Sequence, residues 1–212
     1  MNENNEYEIV HNEPVPHKAL LQKWLPILLY VQCTGMVISA LSLLLPLGSW
    51  TTWISYILTI ATFSVLFQLA PACRRYRKSA VFQCISLILL ILNALIVFNG
   101  GTSVVASLIG SVFSIAASVC TLIAAYQEYY GHADVIRELD GKLSQRWRSL
   151  FVWQIVVGVV IGLGSTIVAV ISMMIGTADI ATVAVVIVSL AGVALRIVYL
   201  LYLGKTIKLL KD

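Results

Sequence analysis

The sequence predicts an all-α polytopic membrane protein: six transmembrane helices packed as three antiparallel hairpins, with both termini cytoplasmic. Three observations carry this expectation. Only 11% of the 212 residues are charged and 59% are hydrophobic, with a mean hydropathy of +0.92, whereas a soluble domain carries about 25% charged residues. Six apolar stretches approach or exceed the roughly 20 residues that cross a bilayer as a helix, at 25–47, 50–70, 80–98, 103–126, 150–175 and 180–203. Finally, Lys and Arg occupy only alternate connections, the pattern of residues retained on the cytoplasmic side.

Residues 1–16 hold Glu3, Glu6, Glu8 and Glu13, no Lys or Arg, and Pro14 and Pro16, the composition of a disordered cytoplasmic tail. No positive n-region precedes the first apolar run and the run is too long for a signal peptide, so it reads as an uncleaved anchor. Lys18 and Lys23 lead into it, Trp24 and Tyr30 suit the inner interface, and Pro26 is expected in a first turn. Gly48-Ser49 turns into the second span at Trp50 and Trp53, and Arg74, Arg75, Arg77 and Lys78 precede the third. Asn99 to Thr102 and Gly176 to Asp179 form two further short turns without a basic residue. Residues 17–204 thus form one transmembrane domain, followed by a basic tail at 205–212 with Lys205, Lys208 and Lys211.

The longest connection, 127–149, carries Arg137, Lys142, Arg146 and Arg148, and its apolar positions Val135, Ile136, Leu139, Leu143 and Trp147 recur every three or four residues. It suits either an interfacial helix or an extension of the flanking helices that turns at Asp140-Gly141. Either form offers a docking point for a cytoplasmic or membrane partner protein. The net charge of +4 is read as membrane topology and attraction to the lipid bilayer, with no nucleic-acid partner.

Helical geometry puts Ser103, Ser107, Ser111, Ser114, Ser118 and Thr121 on an arc of roughly 80°. Thr51, Ser55, Thr59 and Thr62 follow the same steps in the second span. These rows suit a solute path or a packing seam, and their common spacing raises a threefold hairpin repeat as an expectation. Gly158 and Gly162 form a GxxxG in the fifth span, expected to pack closely within the chain or across a homodimer. Gln32, Gln68, Gln83 and Asn93 are expected to bond between helices. Arg196 is the one charge well inside an expected span, with Glu128 as its expected partner.

No residue is assigned to catalysis, a cofactor or a metal. Glu128, His132 and Asp134 are close in sequence, but few ligands on a surface connection make a weak metal site. Cys33, Cys73, Cys84 and Cys120 lack zinc spacing and suit the reducing cytoplasmic side. HExxH, P-loop and serine-hydrolase arrangements are missing, which disfavours an enzyme. The expected span cores lack Asp, Glu and Lys, so ion-coupled transport has no obvious residues.

In size, six expected spans and cytoplasmic termini, the chain resembles the substrate-binding membrane subunits of energy-coupling-factor vitamin transporters. Its very short outer turns depart from the longer lid loop of that family, and no site residue carries over. The expected functions are therefore a nonenzymatic transport-related subunit for an uncharged solute, or a partner-coupled component. The alternative is a membrane scaffold or assembly factor acting through helix packing and residues 127–149. The expected location is the plasma membrane, and the lack of Asn-x-Ser/Thr sites is compatible with a bacterial inner membrane.

Overall fold

The computed structural model describes residues 17–44, 50–100, 103–175 and 178–211, with side chains for all of these except 42–44, 97–100, 161–163, 165–175 and 178–189. Six helices follow in order: α1 (Lys18–Leu44), α2 (Trp50–Leu69), α3 (Arg74–Gly100), α4 (Val104–Val135), α5 (Gly141–Ile175) and α6 (Ala178–Lys211). Among the described residues, five stretches are long and apolar enough to cross a membrane: Lys18–Leu41, Trp50–Leu69, Arg74–Ile96, Val104–Val135 and Leu190–Lys211. Much of the expected fifth span lies outside the described side chains, as do the expected tail at 1–16 and the turns at 45–49, 101–102 and 176–177.

Each helix packs on its neighbours in sequence, and α6 closes the circuit against α1. The result is a ring in which α2 meets α3, and α6 meets α1, about as extensively as α1 meets α2. The tightest contact is α3 on α4, and a repeat of seven explains it. Gly110, Ala117, Ala124 and Gly131 are all buried on α4, and seven residues return a helix to within about 20° of its starting direction. Opposite them, α3 presents Ser79, Ser86 and Asn93 at the same interval. Ser79 donates to the Ala124 carbonyl at 2.8 Å, Ser86 to the Ala117 carbonyl at 3.0 Å, and Asn93 Nδ2 to Ser114 Oγ at 2.9 Å. Small side chains bring the backbones close enough for side chains to reach carbonyls across the interface.

Several helices run beyond their apolar stretches. α4 continues nine residues past Tyr126 to Val135, and the chain turns through Ile136 to Asp140 before α5 begins at Gly141. Of the two forms open to the 127–149 connection, the structure adopts the extended one. Asp140 caps α5, its Oδ1 accepting from the Leu143 N–H at 2.9 Å, which satisfies an otherwise orphan donor. The expected basic tail is also helical: α6 reaches Lys211, with Thr206, Ile207 and Leu210 buried. Pro26, expected in a first turn, lies two turns inside α1.

The buried core gathers at the end where α1 begins and α6 ends. Leu21, Leu25 and Leu28 of α1 meet Leu66 and Leu69 of α2, Trp147 and Leu150 of α5, and Leu203 and Leu210 of α6. Gln22 Nε2 donates to the Leu210 carbonyl at 2.5 Å, tying the two chain ends of the bundle together. Asp134 joins three more elements at this end, accepting from Arg75 Nε at 2.6 Å and Arg148 Nη2 at 3.2 Å.

Candidate functional site

Above this core the ring encloses a cavity of about 380 Å³ between α1, α2, α3, α4 and α6. Its lining includes Gln32, Ser55, Thr59, Thr62, Gln83, Thr121, Glu128 and Arg196. Every lining residue falls within one of the five membrane-crossing stretches. The floor is formed by buried Thr62, Ser86 and Glu128, whereas Ser39, Ser55 and Leu90 are exposed towards the other end.

Glu128 is the centre of the floor. It is only 6% exposed, and a buried carboxylate is costly unless its oxygens find donors. Tyr199 of α6 donates to Oε1 at 2.5 Å and Gln83 of α3 donates through Nε2 to Oε2 at 3.1 Å. One helical turn further, His132 is fully buried, with Nε2 3.9 Å from Glu128 Oε1. His132 Nδ1 lies 2.8 Å from the Tyr76 hydroxyl and Nε2 lies 3.4 Å from the Tyr199 hydroxyl. Because the Tyr199 proton points to Glu128, its oxygen is available to accept from Nε2–H. In a neutral imidazole, Nδ1 then accepts from Tyr76. Trp147 stacks on the ring at 4.7 Å and donates Nε1–H to Thr206 Oγ1 at 3.1 Å.

The placement of Tyr76 depends on a glycine. A Cβ at Gly131 would stand 3.0 Å from Tyr76 Cε1 and 3.2 Å from Cδ1. The missing side chain lets the phenol lie across α4 and reach His132.

Arg196 lines the same cavity from α6, three residues before Tyr199. Its guanidinium rests against α1, where a Cβ on Gly35 would be 3.8 Å from Nη1. Arg196 is exposed to the cavity, and it forms no ion pair with a carboxylate among the described residues. The expected partner Glu128 lines the same cavity but is held by Tyr199 and Gln83 instead.

The two hydroxyl rows are treated differently. Ser55, Thr59 and Thr62 of α2 line the cavity, and each donates to the carbonyl four residues earlier at 2.7–2.8 Å, leaving oxygen lone pairs available to accept. Thr51 does not line it. On α4 only Thr121 reaches the cavity, and Ser114 accepts from Asn93. Ser103, Ser107, Ser111 and Ser118 are exposed, because the buried seam of α4 is rotated from the Ser/Thr arc towards Gly110 and Ala117. Gly158 is exposed, with no neighbour among the described residues within 4 Å of its missing Cβ, and Gly162 lies outside the described side chains.

The sequence places Glu128 and His132 in a surface connection, but the structure buries both. Asp134, grouped with them by spacing, points instead to Arg75 and Arg148. Among the described residues, no group of three His, Cys, Asp or Glu side chains could hold a metal ion. Trp147 was legible only as an apolar position, and no local signal marked Tyr76 or Tyr199 as partners of His132. Their roles arise from helices far apart in sequence. The chain matches no protein-family model, no curated protein and no solved structure, so the topological resemblance to vitamin-transporter subunits rests on size and span count.

Proposed function

We propose that this membrane protein binds a small organic anion in the cavity and carries it across the bilayer. The observation that supports this reading is a guanidinium, Arg196, facing a cavity of mixed polar and apolar lining within membrane-crossing stretches and making no ion pair with a described carboxylate. Charge inside a membrane is expensive and marks solute pathways, and Arg matches the fork geometry of a carboxylate. An anion therefore replaces the uncharged solute expected from sequence. The volume of about 380 Å³ falls at the metabolite end of ligand pockets, roughly 300–1,000 Å³. Acceptor oxygens on Ser55, Thr59 and Thr62 suit hydroxyl groups on that anion. The basic end lies in the cytoplasm in this reading, following the retention of Lys and Arg on that side, and the membrane is the plasma membrane.

Equilibrium binding to the purified protein tests the reading with glycolate, lactate and larger hydroxy acids, and with glycerol as the neutral control. The acids bind and glycerol does not. Arg196→Gln weakens acid binding by at least about tenfold, equivalent to ~1.4 kcal/mol, and Gly35→Leu weakens it by filling the space beside the guanidinium. Binding that survives both substitutions refutes the reading.

A second reading, partner coupling, draws on a groove of about 520 Å³ at the basic end, lined by Asp140, Lys142, Arg146, Lys205 and Lys208. Such a surface suits an acidic segment of another protein. Co-purification that is lost on charge reversal of Lys142 and Lys205, with lactate binding absent, favours it.

A further inference from the structure

We infer that Glu128 takes up a proton when the anion binds, so that solute and proton move together. This rests on the reading of the cavity as an anion site, and it reverses the expectation that ion coupling has no residues here. That expectation assumed that Glu128 lies outside the bundle, whereas α4 carries it into the floor of the cavity.

Charge balance gives the reason. A Glu128 carboxylate and the Arg196 guanidinium leave the empty cavity neutral overall. A bound monovalent anion makes the loaded cavity negative, and an uncompensated charge in a low-dielectric interior is strongly unfavourable. Adding one proton to Glu128 restores neutrality. The groups facing Glu128 leave it as the carboxylate available for this role. His132 and Tyr129 share its helix, α3 offers Tyr76 and Gln83, α6 offers Tyr199 and Arg196, and α5 packs Trp147 on Tyr129 and His132. α1 and α2 contribute Gln32 and Thr62, neither of which titrates.

The step balances at the cavity floor: Glu128 lines the cavity, so a hydronium or buffer acid in the cavity water gives up one proton and one O–H forms on Glu128. Gln83 can follow this change, because its Oε1 is buried without a partner and an amide flip presents that oxygen to a protonated carboxyl.

Calorimetric titration of the full-length protein with glycolate, lactate and larger hydroxy acids, in buffers of different ionisation enthalpy, counts protons taken up on binding. Wild type takes up about one proton per anion bound. Glu128→Gln has no carboxylate to protonate and takes up none with whatever acid it binds. Binding without proton uptake in wild type, or unchanged uptake in Glu128→Gln, overturns the coupling and leaves the cavity reading standing. Failure of every acid to bind overturns both.

Discussion

Gly131→Ala tests whether the floor of the cavity is held by close contact between α3 and α4. The added Cβ would meet Tyr76 Cε1 at 3.0 Å and Cδ1 at 3.2 Å, whereas carbon atoms rest comfortably at roughly 3.5–4.0 Å. The ring must therefore withdraw by about 0.5 Å, yet Tyr76 is fully buried and its hydroxyl is bonded to His132 at 2.8 Å. Overpacking of this kind costs about 1–3 kcal/mol, against a helix-propensity gain of about 1 kcal/mol for Ala over Gly. The expected net effect is a loss of up to about 2 kcal/mol. Reversible unfolding in mixed micelles, followed by Trp fluorescence, measures it. In a Tyr76→Leu background the clash is gone and the same substitution becomes neutral or stabilising. If Gly131→Ala stabilises the wild-type protein, Tyr76 does not press on α4 and the account of this contact is wrong.

Replacing Ser86 by Ala costs only about 0.6 kcal/mol, the average for an interhelical hydrogen bond in a membrane, while Ala117→Leu costs about 1–3 kcal/mol by prising the seam apart; the same unfolding assay gives the order. Trp147→Phe loses the bond to Thr206 and part of a fully buried ring, a loss of about 1–2 kcal/mol read from the unfolding midpoint. Asp134→Asn costs less than about 1 kcal/mol, because all three members of its ion-pair cluster are about a third or more exposed, and unfolding at low and high salt checks it. Burial and the nearby Asp134 raise the Cys73 thiol above its ordinary range. Its thiolate is therefore scarce at neutral pH, and iodoacetamide labelling of a single-cysteine variant should keep accelerating beyond about pH 8.5, where free cysteine levels off.

Helix number and the turn near Asp140 were legible because they depend on local properties, run length and turn chemistry. The floor of the cavity was not. Residues 127–135 are too polar for a hydropathy ruler to include, yet Glu128 and His132 are solvated by Gln83 and Tyr76 of α3 and Tyr199 of α6. No local pattern announces those partners. The spacing of Glu128 and His132 was visible, but their sidedness was not. Ser residues on α4 drew attention as a polar row, whereas the seven-residue spacing of Gly110, Ala117, Ala124 and Gly131 marks the buried side. Arg196 was recognised as unusual from sequence, and the structure lines one cavity with Arg196 and Glu128 without pairing them.

The seam between α3 and α4 also sets what can move. Backbones this close, with side chains of one helix bonded to carbonyls of the other at successive levels, can neither slide nor tilt apart without losing contact and hydrogen bonds together. α3 and α4 therefore behave as one stationary post. In the transport reading proposed above, the rocking that opens the cavity to one side of the membrane and then to the other falls to the elements outside this post, while Glu128 stays with it.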